Sequence, residues 1–453
     1  MAVVGVIASC DTKYHEVQFV QKKIKMSGNS PLILDVSTGP HIPMRADVSR
    51  EEILAMGGYT WEQVHAMDKS GAIAAMTESI SKMLLKLVGE KKIDGVMGMG
   101  GLQNTVMCSA ALRLLPIGFP KIICSTIASG YRYFDTVVGD KDIMVVPSIV
   151  DFAGMNPVNE AVLGNTVSAL IGMVTYGGKR IDTHGEKYIA TTLMGITNDT
   201  VMRASDELTA LGRKMISFHS TGIGGRVMES MIREGVISAV MDLSLHEMTA
   251  EYLGDYGYSK GADNRLCAAA EMGIPALICP GGIDFACLRK EELLKDEEDR
   301  GYVWHNQDLT HTRLYESEIL DITHTIVERL NRSKGKTEVI LPMGGLRTMS
   351  YPGEFFYKPE TIQKMRQIFE ADLKPEIVFK AYDLNFCDPE FADICAQEME
   401  ALLNEAEAAE RRAHEISGIQ RAERCDGTGG SQILSAPLSD EQRRKSEYAC
   451  ARA

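Results

Sequence analysis

Short apolar runs alternate along this chain with longer segments whose apolar residues recur at helical spacing. Residues 2–8 read as a strand, 14–26 as a helix with Val17, Val20 and Ile24 on one face, and 31–35 as a second strand. Residues 72–89 predict a long amphipathic helix carrying Ile73, Met76, Ile80, Met83, Leu84 and Leu87. Strands follow at 94–97, 121–124 and 143–146, with helices at 103–115 and 157–176. The polar stretch 176–186 reads as a linker, and then the alternation restarts. Strands are expected at 188–193, 214–218, 240–243, 276–279, 338–341 and 376–381, and helices at 199–211, 264–272, 316–331, 360–371 and 388–413. Residues 304–313 are polar with weak periodicity and receive no element.

Strand–helix alternation of this kind predicts an α/β fold: two Rossmann-like doubly wound parallel-sheet domains with an interdomain cleft. The expected boundaries are 1–180 and 187–415, followed by a polar, Gly- and Ser-bearing tail over 416–453 that reads as disordered. The apolar faces of the helices at 72–89 and 157–176 suggest a homo-oligomer, although burial in the chain's own core accounts for them too.

Composition narrows the function classes. A formal net charge of −14 argues against a nucleic-acid partner but not against a basic pocket. No apolar stretch is long enough for a membrane span, and the N-terminal run reads as a strand rather than a signal peptide. Ten scattered cysteines without a C-x-x-C pair fit a reducing cytoplasm and supply no zinc site. There is no H-E-x-x-H and no G-x-S-x-G elbow, so neither a resident metal nor a serine triad is expected.

The candidate chemistry lies at strand ends, where doubly wound sheets bind ligands. The strand at 214–218 runs into His219-Ser220-Thr221-Gly222-Ile223-Gly224-Gly225 and then a helix. Glycines there let backbone amides and a helix N-terminus converge on an anion, with Thr221, Gly222, Gly224 and Gly225 as the cradle. Gly98, Gly100 and Gly101 form a second such turn, and Ser125-Thr126 with Ser129-Gly130 a hydroxyl-rich third. Gly281 and Gly282 follow the strand at 276–279. Taken alone, a plain strand-to-helix turn is the simpler account of the two glycine turns, and a capped turn explains Ser125–Gly130 nearly as well. His219 and His305 are the acid–base candidates, since imidazole titrates near neutral pH. Asp11, beside Thr12 and Lys13, is a ligand candidate or a helix cap, and Asp242 ends another strand; a pocket gathering both with His219 and His305 would make these four the catalytic candidates of an enzyme.

As an ordered set these motifs resemble the ATP-binding family of the tomato mosaic virus resistance protein. The resemblance spans about residues 3–385. It rests on Asp11-Thr12-Lys13 with Glu16, Gly98–Gly101, Ser125–Gly130, Asp151 to Asn156, Phe218–Gly225 with Glu229, Asp242, Pro280–Asp284, His305-Asn306 and the segment from Pro342 to Gly353. Leu102-Gln103-Asn104 and the run Met343-Gly-Gly-Leu-Arg-Thr348 depart from the family pattern. The resemblance implies two Rossmann-like subdomains, ATP as ligand and self-association. It supplies no reaction. Apart from it, the lack of metal-site spacing leaves Mg²⁺ only as an ion carried by a nucleotide. Three readings stay open: an ATP-dependent or phosphate-ligand enzyme of small-molecule metabolism, a nucleotide-responsive regulatory protein, and a sugar-acid or keto-acid enzyme that puts carboxylates on the same cradles.

Overall fold

The computed structural model describes residues 1–40, 43–128, 135–177, 181, 183–254, 261–262 and 264–426. The chain divides into two units, Met1–Leu402 and Leu403–Ala453. The first holds both large sheets; of the second, the described part continues the helix Pro389–Asp426. That helix runs past the boundary expected at 415, and residues 427–453, most of the tail expected to be disordered, lie outside the described residues.

The first sheet is formed by β1 (Val3–Ala8), β2 (Ser30–Asp35), β3 (Gly95–Gly100), β4 (Lys121–Ser125) and β5 (Met144–Pro147). Its order is β2-β1-β3-β4-β5 and every pairing is parallel. The second contains β6 (Tyr188–Leu193), β7 (Lys214–His219), β8 (Ile237–Asp242) and β9 (Ala276–Ile278). After it the chain makes an antiparallel excursion of β10 (Phe285–Arg289), β11 (Tyr302–Trp304) and β12 (Leu309–Arg313), ordered β10-β12-β11. It then returns with β13 (Thr337–Pro342) and β14 (Val378–Tyr382), giving the parallel order β14-β13-β9-β8-β6-β7. Two parallel sheets with helical crossovers make this a doubly wound α/β protein, as the alternation predicts. The small antiparallel sheet was not expected.

Local sequence explains the helices. Helix Tyr14–Met26 buries Val17, Val20 and Ile24, the face read from spacing. Helix Lys69–Gly89 starts at Asp68, whose side chain accepts from the amide of Gly71 at 2.9 Å. Its apolar residues pack into one core with Ile53 and Leu54 of helix Arg50–Gly57 and Met107, Ala111 and Leu112 of helix Leu102–Leu112. That face is therefore covered within the chain and does not by itself call for a second copy. No described helix is long and apolar enough to cross a membrane.

Candidate functional site

In the first sheet the chain order reverses between β1 and β3, which are neighbours, and crossovers leave to opposite sides there. Such a switch point opens a crevice at the carboxyl ends of the two strands. A cavity of about 400 Å³ lies at that place. Ser9, Asp11, Thr12 and Lys13 line it after β1, Thr38 and Gly39 after β2, and Gly101, Gln103 and Asn104 after β3, with Lys69 alongside.

The floor of the crevice is the start of helix Leu102–Leu112. Gly101 is its N-cap and provides no side chain to cap it. The first-turn amides of Leu102, Gln103 and Asn104 have no carbonyl to reach within the helix, and the helix dipole adds partial positive charge there. Around them the side chains are fixed by one another. Ser9 Oγ donates to Asn104 Oδ1 at 2.7 Å, and Asn104 Nδ2 to the carbonyl of Met99 at 3.2 Å. Gln103 Nε2 donates to Thr38 Oγ1 at 2.9 Å. Asp11 accepts from the amide of Gly39 at 3.0 Å and from Thr12 Oγ1 at 3.1 Å. Behind the crevice buried Asp35 accepts from the amides of Cys10 and Ser37, both at 3.0 Å, tying the loops after β1 and β2 together. Burial pushes the Asp35 carboxyl up and the Cys10 thiol up. Lys13 Nζ donates to the carbonyl of Phe152 at 2.5 Å, whereas Lys69 is exposed and forms no ion pair among the described residues.

Only one of the three glycines expected here faces this space. A Cβ on Gly98 would lie 2.6 Å from that of Cys108, and one on Gly100 2.5 Å from that of Asn104. These two glycines let the helix approach the strand. Gly101 is open, its nearest neighbour being Thr126 Oγ1 at 3.6 Å from a Cβ. Ser129 and Gly130 lie outside the described residues.

The turn expected to be the main cradle is filled from within. Glu247 Oε1 accepts from the amides of Gly222 at 2.5 Å and Gly225 at 3.0 Å. Its other oxygen accepts from Arg265 Nε at 2.7 Å. Arg265 is fully buried and also donates to both oxygens of Asp242, at 2.7 and 3.0 Å, while Glu229 lies 3.5 Å away. A side chain on Gly224 would overlap the backbone of His219. Thr221 Oγ1 sits 3.2 Å from His219 Nδ1. Asp242 is therefore sealed in an ion network that also takes a hydrogen bond from Thr192, away from solvent. Gly281 packs against Phe386, and the Gly282 carbonyl is 3.1 Å from His246 Nδ1. His219 and His305 are exposed, and Asp11 belongs to the first crevice. Thr38 and Lys69 were missed in the sequence, since neither sits in one of the glycine turns or polar clusters singled out there; Glu247, in the polar run after the strand at 240–243, carried no local sign that it would fill the Gly222–Gly225 turn.

Residues 2–179 match the N-terminal domain, and residues 186–403 the C-terminal domain, of the uncharacterised protein family UPF0261. The chain belongs to the UPF0261 family. A UPF0261 protein of Clostridium tetani is 33% identical over 400 residues, covering 87% of this chain and 97% of that protein. The tomato (Solanum lycopersicum) ToMV susceptible protein tm-1(GCR26) is 29% identical over 469 residues, and the ToMV resistance protein Tm-1(GCR237) 28% identical over 416. These alignments cover 95% and 85% of this chain but 61% and 54% of the tomato proteins. The crystal structure of Acinetobacter baumannii MurG aligns over 88% of this chain and 93% of its own at 11% identity, with a TM-score of 0.21.

Proposed function

We propose that this UPF0261 protein binds the phosphates of a small-molecule ligand, ATP first, in the crevice between β1 and β3. The observation that supports it is the uncapped start of helix Leu102–Leu112 under Gly101, at a switch point flanked by Lys13 and Lys69. Backbone amides and a helix N-terminus are the elements that hold phosphate in open α/β sheets. The matching turn in the second sheet already holds a carboxylate, Glu247. Among the described residues no group of three ligating side chains is poised for a metal. Mg²⁺ in this reading arrives with the nucleotide, and Asp11 is the carboxylate within the crevice to meet it.

An ATP-dependent enzyme is the fuller form of this reading, with positioned donors doing the catalysis. A nucleotide-responsive binding protein is the second, favoured by how few titratable groups line the crevice: Asp11, Lys13 and Lys69. Calorimetry with ATP on Gly101→Val tests the shared step. The backbone at Gly101 has φ −83°, which valine tolerates, and the Cβ direction is open. The branched side chain would cover the amides. Losing one or two charge-assisted bonds weakens binding by about ten- to a thousandfold. Unchanged affinity in a folded Gly101→Val protein would overturn the assignment. Gly224→Val cannot serve, because it collides with the fold itself.

A further inference from the structure

Beyond the crevice, the loop after β13 carries a guanidinium without a counter-ion. Arg347 is fully buried. Its Nε donates to the carbonyl of Thr348 at 3.2 Å and its Nη2 reaches His311 Nδ1 at 2.9 Å. The guanidinium lies on the rings of Phe285, at 3.9 Å, and Phe356, at 4.0 Å. Its Nη1 makes no hydrogen bond. Burial lowers its pKa, to about 10, so it remains charged at neutral pH. Both histidines near it are neutral there: burial holds His311 at about 2 and His246 at about 3. Asp284 is close enough to act on Arg347 electrostatically, yet the two form no ion pair, and Asp284 Oδ1 also has no hydrogen-bond partner.

A buried donor and a buried carboxyl oxygen, each unused, are costly unless a third group satisfies both. Burial pushes the Asp284 carboxyl up, and the nearby Arg347 charge acts against that shift. Exposed residues border the buried Arg347. Thr348, whose carbonyl holds Nε, is exposed, and exposed His305 stacks on His311 with ring centroids 4.6 Å apart. We propose that Arg347 and Asp284 form a second ligand site, which takes the carboxylate of a small hydroxy acid on Arg347 Nη1 and its hydroxyl on Asp284 Oδ1. A carboxylate matches the planar, fixed guanidinium. A phosphate dianion fits less well, because Asp284 would face its charge. The hydroxyl supplies the donor that the Asp284 oxygen lacks.

Melting-temperature titration of the full chain with D-glycerate, lactate, propionate and inorganic phosphate tests this, since a ligand of the native state raises the apparent melting point. Glycerate and lactate should give saturable shifts, and propionate, lacking the hydroxyl, a constant at least about tenfold weaker. In Asp284→Asn the preference for lactate over propionate should shrink. In Arg347→Lys, which keeps a charge but loses the fork, all carboxylates should weaken by about ten- to a hundredfold. Should Arg347→Lys not fold, the Asp284→Asn comparison decides alone. Gly101→Val should leave the carboxylate response intact, so failure here and failure of the crevice proposal are separate results. Absence of saturable binding by either hydroxy acid at tens of millimolar, or equal shifts by lactate and propionate, would overturn the proposal. A phosphate response lost in Gly101→Val but kept in Arg347→Lys would place phosphate in the crevice and support the division.

Discussion

At Glu247 one carboxylate satisfies the amides of Gly222 and Gly225 and one edge of Arg265. Glu247→Ala leaves a buried guanidinium with fewer partners and two helix-start amides with none. Breaking a buried ion network this way costs about 3–5 kcal/mol. Urea unfolding should show that loss, while ATP affinity in the folded fraction should stay within a few-fold of wild type, because Glu247 is not part of the crevice. A larger drop in ATP affinity than in stability would place the nucleotide on this turn after all. His246 and His311 carry a pH signature. Their folded pKa values, about 3 and about 2, lie below the ordinary 6.5 because burial disfavours the cation. Between about pH 3 and 6.5 the unfolded chain binds protons that the folded chain refuses, so their effect is loss of stability as pH falls. Each histidine contributes a slope approaching about 1.4 kcal/mol per pH unit in that window. The charged or titratable neighbours are Arg347, His305 and His246 for His311, and Arg347 and His219 for His246. Replacing His311 by Gln, whose amide oxygen can still accept from Arg347, should flatten the acid limb of stability against pH relative to wild type. Parallel curves would show that His311 is not held neutral.

Helix Leu102–Leu112 shows how one glycine turn divides its tasks. Gly98→Ala pushes a methyl group to 2.6 Å from Cys108 Cβ, at a buried strand–helix contact. Overpacking of this kind destabilises by about 1–3 kcal/mol. Gly101→Ala meets nothing closer than 3.6 Å and should leave the melting temperature nearly unchanged. Equal destabilisation by the two substitutions would mean that helix and strand do not approach as described. Among the elements, the parallel strands were legible as short, mostly apolar runs, and inner strands such as β3, β4, β9 and β13 are buried along their whole length. The antiparallel excursion was not. Residues Leu309–Arg313 read Leu-Thr-His-Thr-Arg, yet Thr310, His311 and Thr312 are buried. Their polar atoms are answered by Glu297 and Arg347. A strand whose hydroxyls and imidazole are satisfied by distant residues carries no apolar pattern to read.

At the scale of the molecule, the first sheet owns its crevice: every residue lining it lies between Ser9 and Asn104. The cores are likewise separate, with two clusters within residues 3–174 on the first sheet and a third, from Ala190 onward, on the second. Contact between the halves includes Ile117, packed on the second core, and Lys141, 3.6 Å from Glu234. A fragment of residues 1–180 should therefore fold cooperatively and bind ATP within a few-fold of the full chain. A fragment that folds but does not bind would show that the second half completes the site. The sequence by itself determined the class of fold, the faces of the helices and the strand ends where chemistry could gather, since spacing and turn residues act over a few positions. It could not decide which glycine turn is open. Gly222–Gly225 and Gly98–Gly101 look alike as local patterns, and the difference between them is Glu247, a side chain more than twenty residues further on. Whether a cradle faces a ligand or the protein's own carboxylate is settled by long-range packing, which periodicity does not encode.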